Sequence, residues 1–240
     1  MDGQLGRKKP MNIHCIILAR GGSKGIPKKN IIDFCGKPLI TWTILQALNV
    51  KDLTDVWVSS DSEEILKIAK HYGANTIIRP AEISGDNETS ESAWVHAIDF
   101  IEQQSESSID YVLAPQVTSP LRHSTDFSEA IFQIIADGAD SLLSVVEIED
   151  FFIWKQESGR NPQSVNYNYK DRKPRQQIEK TYLENGSFYL FRPQVLINNN
   201  RLGGDISLFI MDRYKMCQID NIKDIELSSI IMKGYRLDLI

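Results

Sequence analysis

One short apolar run, Ile16-Ile17-Leu18-Ala19, passes without a break into Arg20-Gly21-Gly22-Ser23-Lys24-Gly25-Ile26-Pro27-Lys28-Lys29-Asn30. A strand of this kind delivers its carboxyl end to a loop with three glycines, four cationic side chains and no acid. The whole chain has a formal charge of −5, so the patch runs against the global sign. Glycine lets backbone N–H groups approach an oxyanion closely, and Arg and Lys supply the counter-charge. A loop of this composition after a buried strand is suited to phosphate.

The remainder alternates between strand-like and helix-like segments, the rhythm of a wound parallel sheet. Residues 14–19, 56–58, 76–78, 111–114, 141–148 and 187–191 read as strands. Residues 39–50, 90–101, 127–136 and 222–232 have helical character, and a further helix ends near Tyr72. Asp61 stands three residues before Glu64, a capping-box spacing for that helix, and Ser90 is placed to cap the next. At 240 residues and 42% apolar content there is room for one large α/β domain with a smaller appendage. Residues 161–177 break the rhythm, being polar and basic without a clear period; a lid, a dimer arm and a disordered loop all remain open there. Residues 1–11 are polar and basic and are expected to be a flexible tail ahead of a single domain over 12–240.

Several familiar chemistries are excluded. Gly21, Gly22 and Gly25 have the wrong spacing for G-x-G-x-x-G, and no Gly-Lys-Ser/Thr closes the loop as in a P-loop. There is no His-Glu-x-x-His, no cysteine pair at zinc spacing and no Gly-x-Ser-x-Gly elbow. The mildly acidic balance argues against a nucleic-acid partner, and no apolar run is long enough for a membrane span. Cys15, Cys35 and Cys217 are odd in number and widely spaced, which suits reduced thiols and a cytoplasmic location. Asn185-Gly186-Ser187 matches a glycosylation sequon, read here as chance.

The segment 18–30 resembles the nucleotide-binding signature of the N-acylneuraminate cytidylyltransferases, the CMP-sialic acid synthetases. Ser59-Ser60-Asp61, Ile78-Arg79-Pro80-Ala81-Glu82, Gln116-Val117-Thr118-Ser119-Pro120-Leu121-Arg122, Pro174-Arg175-Gln176-Gln177 and Asn185-Gly186-Ser187-Phe188-Tyr189 resemble later motifs of that family in the same order. The resemblance implies a three-layer α/β/α nucleotide-diphospho-sugar transferase (Rossmann-like) fold with a mostly parallel sheet. It also implies a Mg²⁺-dependent enzyme that joins CMP from CTP to a nine-carbon 2-keto sugar acid and releases pyrophosphate. A CMP-ketodeoxyoctonate synthetase is the alternative within the fold; its opening loop usually carries arginine where Gly25-Ile26 stands here. A non-catalytic nucleotide-binding relative is the third reading.

Position by position, the resemblance makes Arg20 and Lys29 triphosphate-contacting catalytic residues, with Ser23 and Asn30 as further nucleotide contacts. Leu18 and Ala19 offer backbone groups to the base, and Arg79 and Ser90 complete the base and ribose site. Gln116 matches a sugar-contacting position. The stretch at about 150–186 becomes a dimerisation excursion of a homodimer, in which Lys155, Arg175 and Tyr189 contact the sugar acid across the interface. Asp220 matches a catalytic metal ligand, the second acid of an Asp-Ile-Asp run in several relatives, whereas Gln218 stands in place of the first. Arg201-Leu202 replaces two aromatics that lie near the N-acyl group in well-studied relatives. That change leaves N-acetylneuraminic, legionaminic and pseudaminic acid all open as substrates.

Overall fold

A computed structural model of the chain describes residues 11–22, 25–149 and 152–240, with only the backbone of Arg175. Seven strands form the central sheet: β1 Ile13–Leu18, β2 Asp55–Ser60, β3 Asn75–Ile78, β4 Tyr111–Pro115, β5 Ser141–Ile148, β6 Thr181–Phe191 and β7 Ile206–Met211. Their order is β7-β5-β6-β4-β1-β2-β3. β6 runs antiparallel to both neighbours, and the other pairings in the sheet are parallel.

Because successive strand residues face opposite sides, β1 must place apolar residues on both faces to lie in the interior of such a sheet. Cys15 and Ile17 enter one core and Ile16 the other. Helices α1 Leu39–Leu48, α2 Glu63–His71, α4 Ser124–Asp137 and α5 Ile222–Gly234 cover the first face. Helix α3 Ser90–Ser105 and a 3-10 turn, Pro193–Asn198, pack on the second. The three-layer, mostly parallel α/β/α architecture expected from the sequence is therefore the one observed.

Two cap assignments change. Helix α2 is capped by Ser62, whose side chain accepts from Ile65 N, because the Asp61 carboxylate is engaged elsewhere. Helix α3 is capped by Thr89, whose Oγ1 accepts from Ser92 N at 3.2 Å, which makes Ser90 the first helical residue. Strand β7 was not anticipated, and β6 begins at Thr181, well before residue 187. Thr181 pairs directly with Ile148. Between them lie a two-residue ribbon, Trp154–Lys155 against Gln163–Ser164, and a 3-10 turn, Arg175–Gln177. The expected tail falls, except for Met11, outside the described residues.

Candidate active site

The glycine loop emerges from β1 between β2 and β4. Ala19 N donates to Ser59 O at 3.1 Å, which carries the β1–β2 pairing one residue past the strand. Gly21 N then donates to Asp61 Oδ1 at 2.8 Å. A Cβ on Gly21 would lie 3.0 Å from Ser62 Cβ, so any larger residue there would need Ser62 to give way by a few tenths of an ångström. Asn30 Nδ2 closes the loop by donating to Arg20 O at 2.9 Å. Lys28, at φ 53, adopts the left-handed conformation and leads into the 3-10 turn Lys29–Ile31. Three loop cations meet carboxylates: Arg20 with Asp86 at 2.6 Å, Lys28 with Glu64 at 2.7 Å and Lys29 with Asp220 at 2.9 Å.

Beside this loop opens a cleft of about 480 Å³. Leu18, Arg20, Gly22, Gly25, Lys29 and Asn30 form one wall; Arg79, Ile83, Ser84, Gly85, Asp86, Glu88, Thr89 and Ser90 form the other. The structure thus brings together Leu18, Arg20, Lys29, Asn30, Arg79 and Ser90 from the expected nucleotide set. Ala19 is buried and does not line the cleft. Ser23, like Lys24, lies outside the described residues. Arg79 is only 7% exposed, and its Nε and Nη2 have no hydrogen-bond partner. Burial holds its pKa below the usual arginine value, opposed by Asp61 and reinforced by Arg20. A buried guanidinium with two nitrogens left without acceptors is a costly arrangement in the free protein. An anionic or carbonyl acceptor in the cleft would relieve it.

The residues expected on the sugar side follow a different scaffold. Gln116 N donates to Ser187 O at 2.9 Å, joining the loop after β4 to β6. Beneath it Arg122 is fully buried and donates to Gln46 Oε1, Thr43 Oγ1, Gln116 O and Ser187 O. Burial pushes its pKa down to about 9, against the pull of Cys15 and Asp126. Tyr189 is buried on β6, and its hydroxyl donates to Glu184. Arg201 stacks over Trp94 and Tyr189, with Cζ at 4.9 and 5.0 Å from the two ring centroids, while Nε binds Glu91 at 2.8 Å. The anticipated wall substitution is therefore a braced cation. Lys155 is exposed on the ribbon and does not line the cleft, and the side chain of Arg175 is not described.

Asp220 follows the buried Ile219 and is 68% exposed on its side chain, within reach of the cleft through Lys29. Its backbone N–H donates to Asp224 Oδ2 at 2.8 Å; Asp224 also receives Asn221 N in the capping box of α5. These two amides lower the Asp224 pKa. Gln218 turns its amide nitrogen towards Asn185 O at 2.9 Å. Among the described residues no group of three or more His, Cys, Asp or Glu is arranged to hold a metal. One exposed carboxylate beside a phosphate-type cleft fits a hard divalent cation that keeps most of its shell in phosphate oxygens and water.

Sequence reasoning overlooked Asp61 as the anchor of Gly21, the whole wall at 83–89, and Arg122 as the brace under Gln116. Asp61 and Arg122 sit inside quoted motifs, so their signal was present; the 83–89 wall has no periodicity and carried none.

A family model described as "Cytidylyltransferase" matches residues 14–234. The pseudaminic acid cytidylyltransferase of Campylobacter jejuni is 34% identical over 222 residues, covering 91% of this chain and 95% of that protein. N-acylneuraminate cytidylyltransferase A of Danio rerio is 37% identical over 217 residues, covering 89% of this chain and 49% of that one. Among solved structures, a CMP:2-keto-3-deoxy-manno-octonic acid synthetase complexed with CTP superposes with a TM-score of 0.67 at 16% identity, covering 93% and 99% of the two chains. A 4-diphosphocytidyl-2C-methyl-D-erythritol synthase gives the same TM-score at 12% identity, covering 93% and 100%. At these identities the two structures bear on the fold alone.

Proposed function

The chain belongs to the cytidylyltransferase family and is a nucleotidyltransferase, and on that premise we propose that it transfers CMP from CTP to the anomeric 2-hydroxyl of a nonulosonic acid, releasing pyrophosphate. The observation that carries this reading is the convergence of Arg20, Lys29 and Arg79, whose Nε and Nη2 have no acceptor, on one cleft beside the glycine loop. Attack on the α-phosphorus concentrates negative charge on the departing pyrophosphate. Fixed cations and amides beside it stabilise that charge without reorganising during the reaction. Arg20 and Lys29 take this role, and they exchange Asp86 and Asp220 for phosphate oxygens as the nucleotide enters. Asn30 fixes the Arg20 backbone, Leu18 and Ala19 face the base, and Arg79 and Ser90 complete the nucleotide pocket.

Asp220 would hold Mg²⁺ together with phosphate oxygens and water. When bound, the ion supplies further neutralisation across those oxygens. Gln116 and Tyr189 take the sugar acid, with Lys155 and Arg175 contributed from the excursion of a second copy. The exposed apolar row Ile206, Leu208 and Ile210 on the edge strand β7 supports such a homodimer, since an uncovered apolar edge favours a partner. Three free cysteines suit the cytoplasm as the place of action.

Pyrophosphate release from CTP and Mg²⁺ tests the reading across pseudaminic, legionaminic and N-acetylneuraminic acids and ketodeoxyoctonate. Pseudaminic acid leads the panel, because the relative of that name aligns over nearly the whole of both chains. Turnover with at least one nonulosonic acid and little with ketodeoxyoctonate is expected. Silence with all three nonulosonic acids refutes the reading.

A further inference from the structure

The bulge at residues 185–187 interrupts β6, and the β5–β6 register shifts between Glu184 and Tyr189. The oxygen acceptors of the bulge draw together several parts of the site. Asn185 Oδ1 accepts from Ser144 Oγ at 2.6 Å and from Ser187 N at 3.1 Å. Gly186 O accepts from Ser119 Oγ at 3.2 Å. Ser187 O accepts from Gln116 N at 2.9 Å and from Arg122 Nη1 at 2.6 Å. The remaining acceptor, Asn185 O, is taken by Gln218 Nε2 at 2.9 Å. Gly186 has φ +61, and a Cβ there would overlap the Gln218 amide, so the side chain lies flat against a backbone that only glycine leaves open. One residue on, Ile219 N donates to Thr118 O at 2.8 Å, and Asp220 follows. The segment before Asp220 is therefore clamped twice, to the bulge and to the loop that carries Gln116.

We propose that Gln218 is a positioning residue whose side-chain amide locks the Asp220 segment to the β6 bulge, so that the phosphate side and the sugar-acid side of the site are held as one unit. Asn185 O needs a donor, which glutamine supplies; a carboxylate in its place would face a carbonyl oxygen, and a thioether would leave it unpaired. In this role Gln218 acts through its neighbours and is not spent on a metal ion. The catalytic part of the inference rests on the function proposed above.

The test compares Gln218→Glu and Gln218→Met with the parent enzyme. Without metal, both variants are expected to melt roughly 3–6 °C lower, as for one part-buried bond lost and its carbonyl left unpaired in a domain of this size. Per folded molecule, KM for the sugar acid should rise about fivefold or more and KM for CTP should change less than about twofold. Hydrogen exchange in the metal-free protein should accelerate at both the Gln116 and Ile219 amides. Faster exchange at Ile219 alone overturns the coupling. So does a Gln218→Glu enzyme with an unchanged melting temperature and a lower Mg²⁺ requirement, which would make residue 218 a metal ligand. An unchanged KM ratio per folded molecule reduces the residue to a purely structural role and also refutes the proposal. The exchange measurement needs no turnover, so failure of the proposed reaction is distinguishable from failure of the latch.

Discussion

Replacing Arg79 with methionine should make the free protein more stable and a poorer nucleotide binder. The guanidinium is 7% exposed, two of its nitrogens have no acceptor, and Arg20 adds repulsion. A buried unsatisfied donor costs about 1–3 kcal/mol, so Arg79→Met should recover on the order of 1 kcal/mol while keeping the apolar stem. In a domain of this size that is a rise of about 2–4 °C in Tm, read by calorimetry without ligand. Binding should change the other way. Hydrogen bonds to a charged group contribute about 1.5–3 kcal/mol each, so losing two weakens CTP by at least about 3 kcal/mol, or about 150-fold in Kd. Titration calorimetry with CTP measures this directly. A variant that binds CTP within threefold of the parent, or that melts several degrees lower, would falsify the view that Arg79 is held unpaired for the nucleotide.

Lys29→Ala should lower kcat by about 10²–10³ with an unchanged circular dichroism spectrum, because Lys29 stands in the cleft as a fixed charge for the leaving group; near-normal turnover would remove it from the catalytic set. His14 gives a pH dependence of stability. Its Nδ1 accepts from Trp57 Nε1 at 3.2 Å and its Nε2 bonds Asn12 Oδ1 at 2.9 Å, the neutral tautomer with hydrogen on Nε2. Burial lowers its pKa, with Asp55 opposing. Both states are neutral above the unfolded value of about 6.5. Below it the unfolded chain takes the proton first, so stability should fall as pH drops below about 6.5 and level off beneath the lowered folded pKa. Thermal melts of the parent and His14→Gln between pH 5 and 7.5 check this; equal slopes would assign the effect to other groups.

The readable parts of this fold were those where one physical signal dominates. β1 is apolar on both faces because it is an interior strand, and its passage into glycine and cations marks the cleft end of the sheet. Helices α2 and α4 show clear one-sided faces. The antiparallel direction of β6 was not legible, since strand direction depends on which neighbour it meets. Strand β7 was missed although Ser207, Phe209 and Met211 alternate inward with the exposed Ile206, Leu208 and Ile210. Asp61 reads equally well as a helix cap or a loop anchor, and only the position of Gly21 decides between them. Asn185 looks like a sequon on paper, but it is 2% exposed and its side chain is fully committed.

The direct pairing of Ile148 with Thr181 makes the intervening segment an interchangeable cassette. Its two ends are held one strand-spacing apart by the sheet itself, so lengthening it changes only loop-closure entropy, about 0.6 kcal/mol for each doubling. The glycine loop has no such freedom, because Gly21, Asn30 and Lys29 are tied to Asp61 just past β2, to the loop itself and to Asp220. On the function proposed above, acceptor preference in this scaffold can drift by insertion and deletion while the nucleotide half stays constant, and exchanging residues 149–180 between relatives is then a route to new sugar acids that leaves the sheet untouched.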